Sequence, residues 1–520
     1  MKKINRLLKY IAVAALAMPL TSCDSFFDIR PSDEMVLDDY WQNEGDVLAM
    51  TMECYRSMAS YDYMKRLIVW GELRGDNVVV SPGNGDGDIR YIGNLNLLPS
   101  NGYTSWTSFY NVINLCNTVE HFAPIACEQD PNFTQAQLNG YIAEVKGIRA
   151  FTYFTLVRAF RDVPFVINPT IDDTQEFQMA QSDPDELIDW LIDDLKGAES
   201  TAVTSWSNTA YTKGRITQNA IRAIIADMCL WRGRYDECAE YCDRIINDRN
   251  NPVMLENSTS FGRSVFVTGN SNESIFELQM SATTIDNGAV RDCYGESSMG
   301  YAMQLVPYDF EAAGSTLFDE SDYRRRISFY ANSSGSYIRK YTAAISVTGL
   351  TASSVGNSDY TFYNPSERNW VIYRLPEIYL MKAEALAEAG TDLGEAFRLV
   401  SLTYDRANPG NGAGSLNQSD YSSQTAVLNL IFDERQRELM FEGKRYFDII
   451  RRINHHRSDF RNIINTYLLP KYADLDQSTV ASKLSAYDAL FMPINDTEMR
   501  ANLLLKQNPF YATSSDINLN

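Results

Sequence analysis

The chain has 520 residues, of which 45% are hydrophobic and 22% charged, and its net charge is −21. That size and balance fit a water-soluble globular body of one large or two ordinary domains. The negative field repels nucleic acid and anionic lipid headgroups, which excludes DNA and RNA as partners; neutral ligands are indifferent to it and cationic ones are drawn in.

Residues 1–23 read MKKINRLLKYIAVAALAMPLTSC. Lys2, Lys3, Arg6 and Lys9 precede an apolar run at 11–20. That run is far shorter than the roughly 20 residues a spanning helix needs, so 1–22 is expected to be an export signal. The small residues before Cys23 resemble the lipobox of bacterial lipoproteins, which implies that Cys23 becomes the acylated N-terminus and tethers the body to a membrane. Loss of the four positive charges takes the net charge from −21 to −25. No later apolar run is long enough to cross a membrane.

Helical periodicity dominates the rest. Helices are expected at about 33–60, 106–122, 183–199 and 424–453. The sequence SDPDE at 182–186 is a helix start, with a cap, a proline in the first turn and acids at the positive end of the dipole. From Ile216, small and apolar residues recur at Ala220, Ala223, Ile224, Ala226 and Leu230, with Asp227 breaking the stripe. Gly233 interrupts, and Tyr235, Ala239, Cys242, Ile245 and Ile246 follow. Two antiparallel helices in about 34 residues are the tetratricopeptide pattern. The stretch YRLPEIYLMKAEALAEAGTDLGEAFRLVSLTYDRAN repeats it around Gly390, and a looser copy runs from Ile142 through Leu156. Each hairpin needs a neighbour to cover its apolar face, so the hairpins should stack.

Two regions lack the helical period. Residues 81–102 are rich in Gly, Asn and Ser; residues 253–370 are irregular, with short strands expected at 274–280 and 337–341. Loops this long in a compact protein serve binding or are disordered, and their aromatic content favours order. The fold class read here is mainly α: a tetratricopeptide-like scaffold of helical hairpins with long irregular loops and a few short strands. Its parts are the signal at 1–22, an N-terminal half at 23–252 and a C-terminal half at 253–520. The latter divides into a loop-rich part at 253–370, helices at 371–455 and a closing segment at 456–520. The halves are expected to form one compact body.

Four segments in order carry a family resemblance: CDSFFDIRPSDEM from Cys23, RLPEIYLMKAEALAEAG from Arg374, ERQRELMFEGKRYFDIIRR at 434–452 and FMPINDTEMRANLLLKQNPFY at 491–511. Together they resemble the SusD/RagB family, the surface nutrient-binding lipoproteins of Bacteroidota. The resemblance implies an outer-membrane, outward-facing, lipid-anchored protein that works with a SusC-like TonB-dependent transporter and captures oligosaccharides without cleaving them. Asp24 and Asp28 stand close behind Cys23, as in the export signals of related lipoproteins. Two other readings are peptide capture of the RagB type, for which the negative body favours basic peptides, and a purely structural repeat scaffold. Within the 434–452 segment, alternating charges can pair along a helix. Arg445, Arg451 and Arg452 either form ion pairs or meet an acidic ligand, and Gly443 allows a close approach or a helix break.

Catalytic signatures are missing from the sequence. There is no HExxH and no GxxxxGK[ST], and GESSMG at 295–300 lacks the GxSxG spacing. Paired carboxylates exist among 67 acids, as on any acid-rich surface, and the chain is read as no enzyme. No cofactor is expected. The loop Asn84-Gly85-Asp86-Gly87-Asp88 starts like a calcium site, but Ile89 and Leu95 replace its required Gly and Glu. Cys238 and Cys242 stand one turn apart without a second pair, so no metal site is assigned. Seven cysteines remain if Cys23 is acylated, and an odd number cannot all pair.

Sugar rings pack their C–H faces on aromatic rings and need polar partners for their hydroxyls. On that ground the loop after the first helices is the first candidate: Trp70, Glu72, Arg74, Asp76, Asn77, Asp86, Asp88, Arg90 and Tyr91. The second is the 283–308 region, with Asp292, Tyr294, Tyr301 and Gln304, and the third is 360–363. Trp106 and Tyr110 are assigned to the core. The expectation attached to this reading is that Trp70→Ala or Tyr294→Ala weakens glycan binding without unfolding the chain.

Overall fold

In the computed structural model the described residues are 40–171, 174–295, 302–305, 317–319, 321–332, 335–345, 356–409 and 416–512. Cys23, the signal segment and Tyr301 lie outside them. Eleven helices form the frame used below: α1 Glu44–Met58, α2 Tyr61–Ile68, α3 Thr107–Gln129, α4 Gln135–Phe160, α5 Pro184–Ala198, α6 Gln218–Trp231, α7 Tyr235–Ile246, α8 Leu375–Ala389, α9 Leu393–Ala407, α10 Gln424–Leu439 and α11 Arg445–His455. They pack as antiparallel pairs, α3 on α4, α6 on α7 and α8 on α9, with α7 against α8 joining the successive hairpins. The strands pair two by two, among them β1 Val78–Val80 with β3 Met303–Leu305 and β2 Ser274–Leu278 with β4 Trp370–Arg374, each antiparallel.

Local chemistry sets the boundaries. Asn43 caps α1 in a reciprocal box with Asp46, so that helix begins at Glu44; residues 33–39 of the helix expected over 33–60 lie outside the described residues. Asp183 accepts from the Asp185 and Glu186 amides and Pro184 opens α5, as the sequence implied. Gly233 at φ +70 breaks the 216–246 stretch, and Gly390 at φ +66 ends α8 in the left-handed conformation that glycine takes without penalty. The long helix expected over 424–453 is instead two. α10 ends at Leu439, Phe441 and Gly443 both hold positive φ, and α11 restarts at Arg445. The break lets the chain pass against the turn Val69–Leu73: a Cβ on Gly71 would lie 1.9 Å from the Gly443 carbonyl oxygen. The crossing therefore demands glycine at 71, and the positive φ favours it at 443.

One apolar core runs from Trp41, just before α1, through α3, α4, α6, the β2–β4 pair and α11 to Leu505; a smaller cluster fills the space between α8, α9 and α10. Between these apolar regions runs a buried seam of ion pairs. Arg324 meets Asp322 at 2.7 Å and Glu434 at 2.6 Å. Arg374 meets Glu438 at 2.6 Å and Glu442 at 2.7 Å, and Arg406 meets Glu273 and Glu438 at 2.5 Å each. Arg451 holds Glu384 at 2.7 Å and Asp448 at 2.9 Å. Opposing arginines overcome the effect of burial and hold the Glu438 carboxyl well below its usual range, and they bring Asp448 down to about 2. The charged signature at 434–452 is thus a structural fastening between the loop-rich region and the helices. Arg445 belongs to it through Asp76, at 2.7 Å.

Candidate functional site

Several residues read from the sequence as ligand contacts are enclosed in the body. Trp70 is buried between α2 and α3; its indole N–H donates to the Tyr103 carbonyl at 2.9 Å and its ring stacks 4.8 Å from Phe109. Arg74 donates to the Leu490 and Ala489 carbonyls at 2.8 and 2.6 Å and lies 4.8 Å from the Tyr446 ring centre. Asp76 is spent on Arg445, and Asn77 donates to Glu72 at 3.3 Å while accepting from Gln436 at 2.9 Å. Tyr294 is buried 6.0 Å from Phe441, with no hydrogen-bond partner for its hydroxyl among the described residues. Burial corrects the reading of Trp70, Arg74, Asp76, Asn77 and Tyr294. They hold the loops in place and no ligand on the surface reaches them.

The 360–363 candidate divides, because Phe362 is half exposed whereas Tyr360 is not. Tyr360 is buried and donates to the Arg326 carbonyl at 2.6 Å. Tyr330, Tyr337, Tyr360 and Phe362 surround the Arg339 guanidinium at 4.8–5.4 Å. Gln304 stands in β3 opposite Val79.

The remaining candidates meet at one face. The start of α2, the turn at 84–91 and the helix Gly288–Tyr294 come together there, because α2 packs on that helix and β1 pairs with β3 just behind it. The Tyr61 hydroxyl donates to Asp292 at 2.8 Å, and the Lys65 ammonium donates to the same hydroxyl at 2.8 Å. Lys65 also lies 3.6 Å from Asp86, whose carboxylate accepts from the Tyr103 hydroxyl at 2.8 Å. Asp88 accepts from the Gly102 amide at 2.9 Å, and Arg291 donates to Asp292 at 3.0 Å. Two aromatic rings open to solvent here, Tyr61 at 40% and Tyr91 at 51% exposure. Burial works against the Lys65 charge, but the Tyr103 and Tyr61 hydroxyls outweigh it and hold the ammonium protonated above its usual range. Burial also raises the Tyr61 hydroxyl, which stays neutral and keeps a proton to donate.

Asp86, Asp88, Tyr91 and Asp292 therefore lie on one surface, linked through Tyr61, Lys65 and Tyr103. Sequence reasoning passed over those three. Tyr61 and Lys65 sit at i and i+4 on α2, a spacing that marks a shared face but not which face is wet. The carboxylates that suggested calcium serve the backbone: Asp86 caps the helix Gly87–Gly93 through the Asp88 and Ile89 amides. Cys238 and Cys242 are buried, and burial raises the Cys238 thiol well above its ordinary value. His456 bonds Glu388 at 2.8 Å.

Comparison with known proteins places this arrangement among relatives. Residues 272–511 match the model of the SusD family, SusD_RagB. The chain is 25% identical over 465 residues to SusD-like protein P2 of Formosa agariphila, covering 85% of this chain and 90% of that protein. It is 23% identical over 487 residues to SusD-like protein P38 of the same organism, covering 87% and 92%. Among solved structures, a SusD superfamily protein from Bacteroides thetaiotaomicron superposes with a TM-score of 0.68 at 19% identity, over 91% of this chain and 99% of that one. A laminarin-binding SusD-like protein does so with a TM-score of 0.68 at 21% identity, over 90% and 100%.

Proposed function

From the premise that this chain belongs to the SusD/RagB family, we propose that it is a non-catalytic surface protein that binds oligosaccharides and hands them to a SusC-like TonB-dependent transporter. Cys23 would carry the lipid that holds it on the outer membrane. The observation that carries the binding reading is the face at Tyr61, where two exposed tyrosine rings stand beside fixed donors and acceptors. Tyr61 and Tyr91 offer flat apolar surface to sugar C–H groups. Asp86, Asp88 and Asp292 accept from ring hydroxyls, and Lys65 and Arg291 donate to them. Because these side chains already hold one another, little rotamer freedom is lost on binding. The laminarin-binding neighbour supports a glycan over other ligands.

The experiment is calorimetric titration of the mature chain with laminarihexaose, maltohexaose and xylohexaose, alongside a mixture of basic peptides. The reading expects heat from at least one hexasaccharide, recovered at its original length. Binding of peptides alone would overturn it, and so would the appearance of new reducing ends.

A further inference from the structure

A second feature of the molecule shares no residue with the face at Tyr61. Where α4, α6 and α11 end beside the start of α5, two clefts of about 390 and 330 Å³ lie next to each other, with Arg161 and Asp183 lining both. Each is large enough for a sugar ring, and together they form a groove. Arg161 follows the last residue of α4 and holds φ +70 and ψ −77, a backbone region disfavoured for any residue with a side chain. Strain of this kind collects at functional positions.

In that conformation the Arg161 guanidinium bridges Asp162 and Asp488 at 2.6 Å each. Further along the groove, Arg232 sits between Asp185 at 2.7 Å and Asp189 at 3.0 Å. Arg457 lies 3.3 Å from the Tyr487 ring centre, and Tyr487 donates to Asn454 at 2.7 Å. The groove thus alternates fixed N–H donors with fixed carboxylate acceptors, and Arg161, Arg232, Arg457 and Lys506 nearly balance Asp162, Asp183, Asp185, Asp189 and Asp488. A free anion would meet the aspartates and a free cation the arginines. Vicinal hydroxyls, each both donor and acceptor, match the alternation.

We propose that the groove centred on Arg161 is a second site for a neutral oligosaccharide. The proposal rests on the reading that the protein captures glycans. The test is Arg161→Gly in the mature chain, because glycine takes a positive φ without strain while the side chain and its guanidinium are lost. Arg232→Gln is a second variant at the other part of the groove. Titration with the three hexasaccharides should give two molecules bound per wild-type chain and one per chain in either variant. One molecule per wild-type chain, unchanged in both groove variants and weakened in Tyr91→Ala, would overturn the second site and leave glycan capture standing. Absence of binding to all three hexasaccharides would overturn both.

Discussion

Trp70 and Tyr91 show how burial divides residues of similar chemistry. Trp70 fills the space against Phe109, so Trp70→Ala should leave a cavity and cost about 3–5 kcal/mol, read as a lower thermal midpoint. Tyr91 touches water with half its surface. Tyr91→Ala should leave the midpoint unchanged and weaken glycan binding about tenfold, near 1.4 kcal/mol. A second residue-scale prediction concerns Glu72 and Lys471, which burial shifts in opposite senses to about 7 each. Glu72 is raised, so its contribution to stability is complete below the ordinary carboxylate range and lost as pH rises through 7. Lys471 is depressed, so its contribution is complete above the ordinary lysine range and lost as pH falls through 7. Denaturant midpoints should therefore show a local dip near pH 7. Lys471→Met should remove the rise on the alkaline side, and persistence of that rise would assign it to other groups.

At the scale of elements, the crossing of Val69–Leu73 over Gly443 and the ion-pair seam fasten the loop-rich region to the helical hairpins. Glu438 serves Arg374, Arg324 and Arg406 at once, so Glu438→Gln should leave buried arginines undercompensated and cost about 3–5 kcal/mol in chemical denaturation. The hairpins were legible because small and apolar residues repeat at helical spacing and Gly233 and Gly390 punctuate them. Gly443 was legible as a break or close approach, but its partner Gly71 stands more than 370 positions earlier and no local pattern points to it. The same distance hides the proposed binding face. A loop aspartate looks alike whether it pairs with Arg445, as Asp76 does, or faces water near Tyr61, as Asp86 does. The packing of α2 on the Gly288–Tyr294 helix and the β1–β3 pairing bring Asp292 to the 84–91 segment, and three-residue strands leave almost no periodic trace.

For the whole molecule, the proposed function requires a stacked-hairpin body, an acyl tether at Cys23 and a wet, aromatic-edged face that would hold a glycan intact. The tether makes its own prediction: Cys23→Ser should release the chain from the membrane fraction and abolish labelling by a radiolabelled fatty acid, whereas unchanged membrane retention would remove Cys23 from that role. The central claim is that the face at Tyr61 binds sugar. Calorimetric titration of wild type and of the Tyr61→Ala, Tyr91→Ala double variant with the hexasaccharide that binds tightest tests it most directly. The account predicts at least a tenfold loss of affinity at that site with an unchanged thermal midpoint. Equal affinity in the two proteins would contradict it.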